Sequence, residues 1–172
     1  MSGKIRILGF AGSLQKSSFN KAFLRAAMEL VPGDAELEIF DLEGIPQYNA
    51  DLESTLPVRV REFKSRIRTA DAILIATPEY NHSITGVLKN AIDWASRPPG
   101  DNSFNDKPVA IMSASVGMLG GARAQFHLRH VFVNLNMHAV NQPQVFVNAV
   151  EKKIDGEGRL VDELVREKIR EL

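Results

Sequence analysis

Residues 6–20 read RILGFAGSLQKSSFN. The stretch begins as a strand. Ile5, Ile7, Leu8 and Phe10 form a short apolar run with β-branched members, followed by the small pair Ala11-Gly12. It continues as a serine-rich loop over residues 12–18 that carries one lysine. It ends by opening a helix over residues 19–30, with Phe23, Leu24, Ala27 and Leu30 on one face. A strand therefore feeds a hydroxyl-rich loop at the start of a helix. Helix starts carry free backbone N–H groups and partial positive charge. Ser13, Ser17 and Ser18 add hydroxyls and Lys16 adds a cation. That is the chemistry of a phosphate cradle. The same serines also suit a plain N-cap, and the loop alone leaves both open. It lacks G-x-x-x-x-G-K-S/T and G-x-G-x-x-G, which argues against a P-loop and a dinucleotide fingerprint.

The rest of the chain repeats the alternation. Residues 36–40 alternate as a second strand, and residues 41–55 are polar, with Gly44, Pro46 and Tyr48 marking a surface loop. Residues 56–69 carry Val60, Phe63 and Ile67 at helical spacing, with Arg59, Arg61, Arg66 and Arg68 expected on a solvated face. Residues 72–76, AILIA, are a continuous apolar run, as expected of a central parallel strand covered on both sides. Residues 84–95 read as a helix stopped by Arg97-Pro98-Pro99-Gly100. Residues 109–112 are a fourth strand, residues 122–135 a helix opened by Gly120-Gly121, and residues 137–147 a fifth strand broken around Pro143. A charged amphipathic helix is expected from Leu160 onward. This order predicts an α/β fold. It is a three-layer sandwich with a five-stranded parallel sheet in the doubly wound, flavodoxin-like order 2-1-3-4-5, built as one domain over residues 1–172.

Bulk properties exclude several classes. The 21 basic and 21 acidic side chains cancel, so net charge does not point to nucleic acid or an acidic membrane. Absence of cysteine removes disulfides, thiolate nucleophiles, iron–sulfur clusters and cysteine-bound zinc. No membrane-spanning run or signal-peptide pattern is seen, and a cytoplasmic location is expected.

In such sheets ligands bind beyond the carboxyl ends of the strands, at the topological switch point. Three segments leave strand ends there with unusual composition: residues 12–20, 78–83 and 113–121. Their convergence on one crevice is expected. In the second segment Pro78 pre-shapes the turn, Tyr80 offers a flat ring and hydroxyl, and Asn81 offers an amide. A planar heterocycle with a phosphate tail suits this pairing of a ring loop with a phosphate loop. Taken alone, the same segment also reads as a turn with an incidental aromatic. In the third, Ser113, Ser115 and Gly117 allow close backbone approach to a ligand edge. Tyr80, His82 and Arg123 are the expected shapers of the substrate face. His127 and His130 are expected as a packed or interface pair rather than metal ligands, and His138 as structural. No metal site is expected.

The combination resembles the NADPH-dependent FMN reductase family, and most its chromate/quinone reductase and azoreductase branch. The matching stretches are Gly12-Ser13-Leu14-x-Lys16-x-Ser18-Phe19-Asn20, Thr77-Pro78-Glu79-Tyr80-Asn81, Gly86-x-Leu88-Lys89-Asn90-Ala91-Ile92-Asp93-Trp94, and Gly120-Gly121-Ala122-Arg123. The resemblance implies bound FMN and NADPH or NADH as co-substrate. Quinones, azo compounds, free flavin or chromate would accept the electrons in a two-site alternation. It implies that Ser13, Gln15, Lys16, Ser17, Ser18, Phe19 and Asn20 hold the FMN phosphate. Pro78, Glu79, Tyr80 and Asn81 would line the isoalloxazine ring, and Ser115 and Gly117 would approach the flavin. It further implies a homodimer or homotetramer, with residues 88–94 resembling the dimer-forming element. The family often has arginine at Gln15, glycine at Ser17 and tyrosine at His82. Weaker FMN binding and a different acceptor preference are therefore expected. A flavodoxin-like one-electron carrier is the rival, disfavoured by the neutral charge; a non-catalytic flavin-binding module is the other.

Overall fold

A computed structural model describes residues 3–172. The strands are β1 (Ile5–Ala11), β2 (Ala35–Ile39), β3 (Ala72–Ala76), β4 (Pro108–Ala114), β5 (His138–Ala139) and β6 (Val145–Val147). The helices are α1 (Phe19–Leu30), α2 (Val58–Thr69), α3 (Gly86–Ala95), α4 (Ala122–Leu135) and α5 (Glu163–Glu171). Within the sheet these strands pair in parallel, in the order β2-β1-β3-β4-β5, with β6 also on β4.

The expected fifth strand is two strands in one lane. His138 and Ala139 pair with Pro108 and Val109, whereas Val145 to Val147 pair with Met112 to Ala114. The chain leaves the sheet between them at Asn141-Gln142-Pro143, where proline has no N–H to continue the ladder.

Two helical layers cover the sheet. On one face α2, α3 and α4 bury Phe63, Ile67, Leu88, Ile92, Leu128 and Phe132 against Leu8, Phe10, Ile73 and Ile75. On the other, α1 and α5 bury Phe23, Leu24, Val165 and Ile169 against Ala11, Leu74, Ala76 and Met112. Strand alternation explains this split, because successive side chains point to opposite faces. Gly9 sits on the α1 side, where a Cβ would lie 3.0 Å from Leu24 Cδ2. Its lack of a side chain lets α1 approach the sheet.

Element starts follow their caps. Pro57 is the N-cap residue of α2 and keeps Leu56 outside the expected helix. Thr85 Oγ1 accepts from Leu88 N–H, so α3 starts after Ile84. Asp162 Oδ1 accepts from Val165 N–H at 3.0 Å, which delays α5 past Leu160.

The segment expected as a plain surface loop after β2 is pinned. Trp94 Nε1 and Asn90 Nδ2 donate to Pro46 O at 2.8 and 2.9 Å, and Tyr48 N–H donates to Asn90 Oδ1 at 2.8 Å. Leu88, Ala91, Ile92 and Trp94 are all buried in the core of the chain. The apolar side of residues 88–94 is therefore already used within the chain.

Three of the α2 arginines, Arg61, Arg66 and Arg68, are exposed on the expected solvated face. Arg59 lies 4.0 Å over the Phe40 ring, while Arg66 and Arg68 pair with Glu38 and Asp101. Between them Lys64 is buried. Its Nζ donates to the carbonyls of Ala95, Arg97 and Asp101, closing the end of α3. Burial pushes its ammonium below the usual lysine value, against the opposing pull of Asp101.

Candidate functional site

The three segments meet at one rim, and named bonds hold them there. Thr85 Oγ1, which caps α3 just after the second segment, donates to Gly12 O at 2.7 Å and so joins the start of α3 to the end of β1. Asn20 Nδ2 donates to Ala114 O and Ala114 N–H donates to Asn20 Oδ1, both at 3.0 Å. That amide pair joins the start of α1 to the end of β4. Glu79 Oε2 accepts from Arg123 N–H at 3.1 Å, and Glu79 Oε1 accepts from Arg123 Nε at 2.5 Å. This third link joins the second segment to the start of α4.

The first loop has the form of an anion cradle. Ser18 Oγ caps α1 by accepting from Lys21 N–H, and Ser13 Oγ accepts from Gln15 N–H at 3.3 Å. Gln15 Nε2 donates to Ser17 Oγ at 3.1 Å, so the loop closes partly on itself. Among the described residues, the backbone N–H groups of Leu14, Lys16, Ser17, Phe19 and Asn20 have no acceptor within the chain. Five N–H donors around a helix start require an anion or water to satisfy them. The helix dipole favours the anion.

The second loop is a tight hairpin. Tyr80 and Ser83 exchange backbone hydrogen bonds at 3.0 Å, and Asn81 and His82 between them have φ of 51° and 64°. Two consecutive left-handed residues define a type I′ turn, unusual without glycine; asparagine and histidine tolerate it better than most. Tyr80 is 56% exposed, so its ring is presented rather than packed. Ser83 Oγ lies 2.9 Å from His127 Nδ1 on α4.

The third loop depends on two glycines. Gly121 has φ of 85°, and a Cβ there would lie 2.7 Å from Ser113 Cβ. Ser113 Oγ donates to Gly120 O at 2.6 Å and accepts from Gln125 Nε2 at 2.8 Å. Ser115 Oγ accepts from Gly117 N–H at 3.0 Å, leaving Gly117 exposed at the loop tip.

Several expected site residues have other work. The Asn20 side chain is buried and bonded to Ala114, so it ties elements together and leaves only its backbone N–H toward the cradle. The Glu79 side chain is committed elsewhere, which leaves its backbone toward the rim. Its side chain is 7% exposed and is spent on Arg123 and the α4 N-terminus. Pro78 is buried and its carbonyl accepts from Thr77 Oγ1 at 2.9 Å. His127 and His130 are both exposed and do not pack as a pair, because helical spacing puts them outside the α4 stripe formed by Leu128 and Phe132. His138 accords with a structural part, paired with Asp106 at 2.6 Å. Thr85 escaped sequence reasoning as a site residue. Threonine three residues before Leu88 signalled the cap, but nothing local signalled its bond to Gly12.

The donors present fit a planar cofactor with a phosphate tail: unspent N–H groups at a helix start, a presented ring in a strained turn, and a glycine-lined third wall. The fold defines a flavodoxin-like α/β protein, and the rim offers donors that fit such a group. Residues 5–152 match the NADPH-dependent FMN reductase family, and the chain belongs to that family. It is 49% identical over 172 residues to an NAD(P)H-dependent FMN reductase of Pseudomonas aeruginosa, covering 99% of this chain and 92% of that one. It is 46% identical over 176 residues to an NADPH:quinone oxidoreductase of Arabidopsis thaliana, covering 98% and 88%. It is 44% identical over 162 residues to a 2-hydroxy-1,4-benzoquinone reductase of a Burkholderia species, covering 94% and 88%. Among solved structures, the flavoenzyme NAD(P)H:(acceptor) oxidoreductase of Paracoccus denitrificans superposes with a TM-score of 0.88 at 33% identity, covering 96% and 91%. The chain is an FMN-dependent oxidoreductase that draws electrons from NAD(P)H. Among the described residues, no helix is long and apolar enough to cross a membrane.

Proposed function

We propose that FMN is held with its phosphate on the residue 13–20 loop and its ring against residues 78–81 and the 115–117 turn, and that the physiological acceptors are quinones. The observation that carries this is the five unspent N–H groups of Leu14, Lys16, Ser17, Phe19 and Asn20, tied by Thr85 and Asn20 to the two loops that would border the ring. FMN supplies hydride acceptance from the nicotinamide and two-electron transfer to the acceptor. The chain supplies position. Ser13, Ser17 and Ser18 hydroxyls, Lys16 and the loop N–H groups bind the phosphate. Gln15 braces Ser17 in place of an arginine. Tyr80 and Asn81 border the ring, and Ser115 and Gly117 close its far edge. His82, exposed in the strained turn, faces arriving acceptors. Overall NAD(P)H, a proton and a quinone become NAD(P)⁺ and a hydroquinone, and a shallow rim lets the two substrates take turns.

The same rim supports an oligomer. Val116, Met118, Leu119, Phe126 and Val133 are 49–86% exposed around the third loop and along α4. A second copy seated there would bury them and wall the site, which supports a homodimer or homotetramer. Light scattering on Met118→Asp and Val133→Asp proteins tests this; an unchanged mass refutes that surface. A cytoplasmic location accords with a supply of reduced pyridine nucleotides, and cell fractionation against a cytoplasmic marker tests it.

The deciding experiment is anaerobic stopped-flow reduction of the purified holoprotein by NADPH and by NADH, followed by mixing with quinones, azo dyes, free flavin and chromate. Rapid reoxidation by quinones, with steady NAD(P)H consumption and no added reductase, is expected. Reduction without turnover on any acceptor would favour a carrier or a non-catalytic module.

A further inference from the structure

We propose that Arg123 selects acceptors by charge, so that quinones bearing an ionised ring oxygen are preferred through it over neutral quinones of similar size. The inference rests on the quinone reading above and names the substrate class of that site.

The argument is the way the guanidinium is held. Arg123 Nε and Nη2 both lie 2.5 Å from Glu79 Oε1, and its backbone N–H donates to Glu79 Oε2 at 3.1 Å. Glu79 is nearly buried and also accepts from Ala124 N–H at 3.4 Å, so the anchor cannot swing away. Arg123 is 42% exposed, and its Nη1 has no acceptor among the described residues. One edge of the fork is therefore fixed and the other is left to a ligand. The anchor immediately precedes Tyr80, so the unspent edge lies beside the hairpin proposed to border the ring. Glu79 is the only carboxylate bonded to Arg123 among the described residues. The other titratable groups on the hairpin and on α4, namely Tyr80, His82, His127, Arg129 and His130, include no carboxylate.

A guanidinium edge discriminates by charge. A neutral quinone carbonyl accepts an ordinary hydrogen bond, whereas an ionised hydroxyl accepts a charge-assisted one, roughly twice as strong. Arginine keeps its charge at every working pH, and its anchored fork loses little freedom on binding. The same arrangement would hold an aryl carboxylate, whose oxygens lie in the plane of the ring.

The test compares holoenzyme carrying Arg123→Met or Arg123→Lys with the parent. The readout is the ratio of kcat/KM for ionised 2-hydroxy-1,4-naphthoquinone to that for neutral 2-methyl-1,4-naphthoquinone, at saturating NADPH. The two quinones differ in reduction potential, so only the change in the ratio between proteins counts. The ratio is expected to fall about tenfold in Arg123→Met, with partial recovery in Arg123→Lys. A binding measurement without turnover accompanies it. Calorimetric titration of the oxidised holoprotein with 2-naphthoate and 2-naphthamide should show the acid binding more tightly than the amide. That preference should be lost in Arg123→Met and weakened by salt in the parent. A ratio within twofold of the parent in both variants, or no preference of the parent for the acid, overturns the proposal. If Arg123→Met fails to fold, Arg123→Lys and the parent titration decide. If the parent turns over neither quinone, the quinone reading falls, while the naphthoate titration still decides the role of Arg123.

Discussion

Glu79 and Arg123, 44 residues apart, form one unit: the nearly buried carboxylate takes the arginine's Nε at 2.5 Å and the arginine's own backbone N–H at 3.1 Å. Glu79 thus does for α4 what an N-cap side chain usually does. The true N-cap residue, Gly121, has no side chain to offer. Glu79→Ala is expected to lower the unfolding free energy of the FMN-free protein by about 2 kcal/mol, and Glu79→Gln by about half of that. Urea unfolding followed by circular dichroism checks this. An unchanged midpoint in both variants would show that the contact carries no stability.

Asn20 makes a second long-range link, with both ends of its amide on Ala114. Asn20→Ala would strand a buried N–H and a buried C=O at the end of β4. A loss of about 2–3 kcal/mol is expected. Asn20→Asp keeps the acceptor and loses the donor, so it should lie between the two. The order of urea midpoints, native above Asp above Ala, is the result to look for.

Gly121 is under the tightest steric demand of the site. With φ of 85° and a hypothetical Cβ 2.7 Å from that of Ser113, it leaves no room for a side chain. Gly121→Ala should cost more than about 2 kcal/mol and displace the third loop. Gly33→Ala, where nothing lies within 4 Å of a hypothetical Cβ, is the control and should be nearly neutral. Thermal melts of the two proteins side by side test the difference.

The phosphate loop can be probed in parts. Ser18→Ala removes the α1 cap and should cost about 1 kcal/mol of stability. The exposed Lys16 side chain makes no hydrogen bond or ion pair among the described residues, so Lys16→Ala should leave stability alone while weakening FMN binding about tenfold. Fluorescence titration of the stripped proteins with FMN reads the second effect. Equal affinity of Lys16→Ala and parent would remove Lys16 from the phosphate site.

Asp41 links acidity to stability beside the same helix. Burial alone would raise its carboxyl. Lys21 Nζ at 2.8 Å, the Glu43 N–H at 3.0 Å and nearby Arg59 outweigh that and hold it below the usual 3.8. Because the folded value is the lower one, the unfolded chain binds more protons in acid. The contribution is complete above about pH 4 and is lost as pH falls through the folded value. The pair is partly solvated, so its size should stay below about 1 kcal/mol. Lys21→Met should flatten the acid limb of stability against pH by that amount; an unaltered limb would refute the linkage.

Local pattern was enough for the layers and the rim. The AILIA run, the alternation of strands and helices, and the strand-to-serine-loop-to-helix start are short-range signals. They fix element type, sheet order and the end of the sheet where a ligand must sit. They also picked out loops that the structure brings together, because loops leaving adjacent parallel strands at the same end cannot avoid one another. What they could not reveal is which side chain answers to which. Asn20 reads in sequence as a loop donor, and its side chain clamps Ala114; Glu79 reads as a ring wall, and its side chain caps α4 and anchors Arg123; Lys64 carries no local signal of its burial under the end of α3. Each of these partners lies at least 30 residues away along the chain. Hydrogen bonds form over about 3 Å in space and carry no imprint on local periodicity, so only the packed tertiary structure assigns them.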